Sequence, residues 1–104
     1  MFCVSSAAPE KMVEAWVSRN DIYRYVSHFF GSEWGSKEEH VRFLHSRYPA
    51  YKIIYVSDSL PDMALGNVAI GIAPHGKELK FYDAGAAAVI HSFPEILGKD
   101  LTAM

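Results

Sequence analysis

Lys52-Ile53-Ile54-Tyr55-Val56-Ser57-Asp58-Ser59-Leu60-Pro61-Asp62-Met63 is the stretch whose reading decides the fold. Its first five residues are rich in β-branched and aromatic side chains, which pack well on a pleated surface, so Lys52–Val56 predicts a strand. The strand is apolar throughout rather than alternating, as a strand covered on both faces is. Ser57-Asp58 ends it, and Pro61 suits the first turn of a short helix that closes at Gly66.

Moving outward, Val68–Ile72 and Ala86–Ile90 read as further apolar strands, His75–Asp83 as a short helix, and Pro94–Leu97 as a terminal helical turn. Upstream, Phe2–Val4 is a short buried strand opening into Ser5-Ser6, and Met12, Val13, Trp16 and Val17 recur at helical spacing, which predicts a helix from Pro9 to Arg19. Ile22, Tyr23, Val26 and Phe29 predict a second, shorter helix, with a strand beginning at Phe29-Phe30. Ser36-Lys37-Glu38-Glu39 has the form of a capping box, and its helix carries Val41, Leu44 and Tyr48 on one face and stops before Pro49. Strands alternating with helices predict an α/β fold, a Rossmann-like three-layer α/β/α arrangement around a mostly parallel sheet. In such sheets ligands bind beyond the carboxyl ends of the strands, which draws attention to Ser5-Ser6 and to Ser57-Asp58 with Asp62.

The 104 residues make room for one domain, 1–104, with half of them apolar. Ten Lys and Arg stand against twelve Asp and Glu, so the net charge is −2. No basic block is present, which argues against nucleic acid as a partner. No apolar run approaches the roughly 18 residues of a membrane span, so no membrane partner is expected. The single cysteine, Cys3, rules out an internal disulfide framework and fits a reducing, cytoplasmic location.

Asp58 and Asp62 lie four residues apart across a strand-to-helix turn. Two carboxylates converging there can hold a hard cation such as Mg2+; alternatively Asp58 or Ser59 caps the helix and Asp62 favours its first turn. Ser5 and Ser6 offer hydroxyls and backbone N–H groups as an oxyanion cradle, or simply cap the following helix. Lys37 opposes the dipole of the helix it opens; such a cation can neutralise a phosphate or an acidic nucleophile, or be a solvated lysine. His28, His40, His45, His75 and His91 show neither H-x-x-x-H nor Cys-His spacing and read as surface or satisfied core residues. Cys3 reads as inert core, and Trp16, Tyr23, Phe29 and Phe30 as core.

The order of these features resembles the haloacid dehalogenase superfamily. Phe2-Cys3-Val4-Ser5-Ser6, then Gly31-Ser32-Glu33 with Ser36-Lys37, then Ile54–Met63 are similar to three of its four signature motifs, and Val68–Ile72, Asp83–Ala86 and Val89–Leu97 to its closing strands and terminal helix. The resemblance implies hydrolysis of phosphate monoesters through an aspartyl phosphate with Mg2+. It assigns phosphate binding to Ser5, Ser6 and Lys37, stabilisation of the nucleophile to Lys37, and the metal to Asp58 and Asp62. The interval between Ser6 and Lys37 leaves no room for a cap domain there.

The sequence departs from that pattern in having no Asp-x-Asp, the family's first motif, which carries the nucleophile at the end of the central strand. Ser57 also stands where a Gly is usual. The expectation is a phosphohydrolase module incomplete at its N-terminus and inactive as this chain alone. Its exposed strand edges would be met by self-association or by a partner that supplies the missing strand. Two other classes fit parts of the chain: a non-enzymatic assembly module, and a receiver-like signalling domain with Asp58 followed by Pro61, Met63 and Gly66, in which Pro61 and Met63 fall one position short.

Overall fold

The computed structural model describes residues 1–98. The protein is α/β, with two parallel sheets and helices between the strands. The chain forms two compact units, the first Met1–Tyr48 and the second beginning at Pro49.

In the first unit β1 (Phe2–Ser5) pairs in parallel with β2 (Val26–Phe30), Cys3 opposite His28 and Ser5 opposite Phe30. The connection runs through α1 (Glu10–Arg19), entered at Pro9, which buries Val13 and Val17. The second helix expected over Ile22–Phe29 is not formed. Tyr23–Tyr25 makes one 3-10 turn and Val26–Phe30 is strand. Asp21, with φ 54°, breaks the chain direction. Val26, Phe29 and Phe30 then find a ladder partner in β1, and β-branched and aromatic residues gain more from that pairing than from a lone helical turn. The capping box at Ser36 is formed: the Glu39 N–H donates to Ser36 Oγ (3.2 Å) and the Ser36 N–H to Glu39 Oε1 (3.2 Å), starting α2 (Lys37–Arg47).

The core of this unit is aromatic. Phe30 stacks on His40 (centroids 5.1 Å) and meets Phe43 and Trp34 edge-on, and His28 bonds Tyr48 Oη at 2.7 Å. Of the four aromatics expected in the core only Phe30 is buried. Trp16 and Tyr23 are about half exposed (46% and 52%), and Phe29 is half-buried. Gly31 lets the end of β2 approach the start of α1, since a Cβ there would collide with the Glu10 backbone.

In the second unit β3 (Ile54–Ser57), β4 (Val68–Ile72) and β5 (Ala88–Ile90) form a parallel sheet in that order. Residues of alternate parity cover its two faces. Ala69 and Ala73 join Met63, Phe81 and Ala86 on one side; Ile70, Ala88 and Ile90, with Ile54, Val56, Ile72 and Ile96, form the other. The first face is made of small side chains, which admits Phe81 from α3 (Glu78–Asp83) directly over Gly71. Leu60–Ala64, with Pro61 in its first turn, is 3-10 rather than α, and Phe93–Gly98 is another such turn.

Candidate functional site

The carboxyl ends of the parallel strands carry the polar residues of interest. In the first unit Ser5 ends β1. Its Oγ lies 2.7 Å from Nδ1 of His40, which is 1% exposed, and Nε2 of His40 lies 3.1 Å from the Gly31 carbonyl. A carbonyl only accepts, so Nε2 carries the proton and Nδ1 accepts from the Ser5 hydroxyl. Burial holds the His40 imidazole below its ordinary pKa, and the Lys37 ammonium close by pushes the same way. His40 is thus a neutral acceptor, bonded to Ser5 and within reach of the Lys37 charge.

The backbone half of the expected cradle is used internally. The Ser6 N–H donates to the Phe30 carbonyl (3.0 Å), the Ala8 N–H to Ser6 Oγ (3.0 Å), and the Glu10 N–H to the Glu33 carboxylate (2.9 and 3.2 Å). Glu33, held below the usual carboxylate range chiefly by that N–H, sits where an anion would sit on α1. Neither Ser5 nor Ser6 caps α1, whose N-cap Pro9 has no side-chain cap bond. Of the expected cradle, only side-chain groups are left at this edge as candidates to meet an anion. Beside them opens a cavity of about 380 Å3 lined by Ser5, Ser6, Met12, Trp16 and Arg19 among others.

In the second unit Ser57 ends β3, and its hydroxyl donates to Asp62 Oδ2 (2.8 Å) while accepting the Ser59 N–H (3.1 Å). Asp62 is buried and Asp58 exposed. The side chain of Ser59, the N-cap of the turn that follows, makes no capping bond. Ser57 thus does what a glycine could not: it ties the loop to the buried carboxylate.

Sequence reasoning passed over two groups. His40 has no metal-ligand spacing to mark it, and its partner Ser5 is 35 residues away, beyond any spacing rule. Among the described residues the His, Cys, Asp and Glu side chains that converge in threes are His75, Glu78 and His91, not the aspartates. The interval H-x-x-E, with a second His thirteen residues on, is the only trace they leave in the sequence. Cys3 is half-buried, and burial pushes its thiol pKa up, in keeping with an inert thiol. No protein-family model, no curated protein and no solved structure matches the chain.

Proposed function

We propose that the chain is a phosphate-recognising module of haloacid-dehalogenase-like design, binding a phosphorylated small molecule at the Ser5–Lys37 edge and needing a further parallel strand, with its carboxylate nucleophile, for turnover. The observation that carries this reading is a hydroxyl bonded to a buried histidine at the carboxyl end of a parallel strand, with the charge of the Lys37 ammonium felt at that histidine. A phosphate needs hydroxyl donors and a cation, and the Ser5, Ser6 and Lys37 side chains are of that kind. Binding is coupled to a proton. With His40 protonated, Nδ1–H donates to Ser5 Oγ while Nε2–H keeps the Gly31 carbonyl, and the Ser5 hydrogen turns to the phosphate.

Mg2+ would be held in this reading by Asp58 and Asp62. The pair does not fit a shared ion as it stands, because Asp62 is buried and accepts Ser57 while Asp58 faces water. No step is derived through the ion. The chain contains no Asp-x-Asp, and covalent phosphoryl transfer by the family's route therefore stops at binding.

Isothermal titration with inorganic phosphate tests the reading. Binding that is lost in both Ser5→Ala and Lys37→Ala, with no Mg2+-dependent hydrolysis of p-nitrophenyl phosphate, is the expected result. Hydrolysis by the chain alone, or phosphate binding indifferent to both substitutions, would overturn it.

A second reading, assembly through strand addition, has its own observation. Among the described residues β1 pairs on one side only, and Met12 and Trp16, one turn apart on α1, stay largely exposed beside it. An edge strand next to an uncovered apolar stripe is suited to pairing with another chain. A protein that stays monomeric at every concentration in light scattering would remove this reading.

A further inference from the structure

We propose that His75, Glu78 and His91 form a binding site for a divalent transition metal of the zinc class, a site independent of the phosphate reading. His75 follows β4 and His91 follows β5, so both stand beyond the carboxyl ends of adjacent parallel strands, where α/β sheets place ligands. Glu78 opens α3 on the same connection. One ligand atom from each residue lies within 4.8 Å of the other two.

The hydrogen bonds around the three residues fix which atoms are available. Nδ1 of His91 is 3.0 Å from the Ala73 carbonyl and must donate to it. The neutral imidazole then presents the bare lone pair of Nε2, and that atom faces Glu78 Oε1 at 3.6 Å. Two acceptors turned toward each other need a cation between them. A proton on His91 would serve that one pair. It would also put a charge 3.7 Å from the ring centroid of His75, which is stacked on it, and leave the second imidazole outside the arrangement. A metal ion serves all three ligands at once.

The supporting bonds are of the kind that orient metal ligands. The carbonyl on Nδ1 sets the His91 tautomer, and the Gly76 N–H holds both oxygens of Glu78 at 3.0 Å. Glu95 accepts the N–H groups of His91 and Ser92, which pins the loop carrying His91. Two imidazoles and one carboxylate select zinc-like ions over Mg2+, which prefers oxygen, and they leave a fourth position open. Tetrahedral bonds of about 2.0–2.1 Å set ligand atoms roughly 3.3 Å apart, so the side chains draw in by about 1 Å on binding. His75, exposed on the Pro74–Lys77 turn, can make that movement.

The test titrates the full chain with Zn2+ by calorimetry, and with Co2+ by visible absorption, which reports four-coordinate nitrogen and oxygen ligation. The account expects one ion per chain, unaffected by excess Mg2+. His75→Ala and Glu78→Gln should each weaken binding by at least about tenfold and lose the Co2+ band, as should His91→Ala. Asp58→Ala should change nothing. His75 and Glu78 are at the surface, so those variants keep the fold even where His91→Ala does not, and circular dichroism confirms it. Absence of stoichiometric binding, or binding unchanged in folded His75→Ala and Glu78→Gln, would overturn the proposal by assigning the ion to other histidines or to none.

Discussion

Replacing His40 by Leu tests the first unit at its centre. The substitution keeps an apolar side chain against Phe30 but removes the partner of Ser5 Oγ at 2.7 Å and of the Gly31 carbonyl at 3.1 Å. Ser5 is half-buried and can turn to water, and the buried Gly31 carbonyl keeps the Trp34 N–H as a donor (3.1 Å). Two hydrogen bonds at about 1 kcal/mol each put the loss at roughly 1–3 kcal/mol. Both tryptophans, Trp16 and Trp34, lie in this unit, so urea unfolding followed by tryptophan fluorescence reads its stability directly.

The same variant carries a pH signature. Because the folded state holds the His40 pKa below its ordinary 6.5, the unfolded chain takes up the proton first as pH falls. Stability is level above that pH and declines below it, by at most about 1.4 kcal/mol per pH unit for one proton, until folded His40 also titrates. The lowered carboxylates Glu33 and Glu39 contribute only at more acidic pH, where stability present above their unfolded pKa is lost as they protonate. Between pH 7.5 and 5.5 the wild type should therefore lose stability and His40→Leu should not. Equal pH dependence in the two proteins, or a cost below about 0.5 kcal/mol, would refute the buried neutral acceptor.

Two further outcomes are expected. A methyl group added at Gly71 would stand 2.5 Å from Cδ1 of Phe81, so Gly71→Ala should destabilise the second unit by about 1–3 kcal/mol, and Phe81→Leu in the same chain should recover part of the loss in a thermal-melt double-mutant cycle. If the stripe on α1 mediates association, Trp16→Glu should lower the mass average in concentration-dependent light scattering; an unchanged mass in an associating protein would exclude that face.

Local chemistry was legible in the sequence where one segment decides it. The β-branched run before Ser57 gave β3, the box at Ser36 gave the start of α2, and Pro9 and Pro61 marked helical turns. Val26–Phe30 was not legible, because its spacing suits a helix and only β1, more than twenty residues upstream, makes it a strand. The division into two sheets was equally hidden, since strand order depends on which edges meet. Of the candidate site residues, Ser5 and Lys37 could be singled out by their position at element ends, but His40, bonded to Ser5, could not. The His75–Glu78–His91 cluster depends on β4 and β5 being neighbours in the sheet, and helix-face spacing says nothing of that.

The most direct measurement of the central claim is a titration of the 15N-labelled chain with inorganic phosphate, followed amide by amide. The account predicts saturable shifts confined to Ser5–Ala8 and Lys37–His40, tighter at pH 6 than at pH 8 after allowance for phosphate's own ionisation, and absent in Lys37→Ala. Shifts that do not saturate, or that centre away from those two segments, would contradict it.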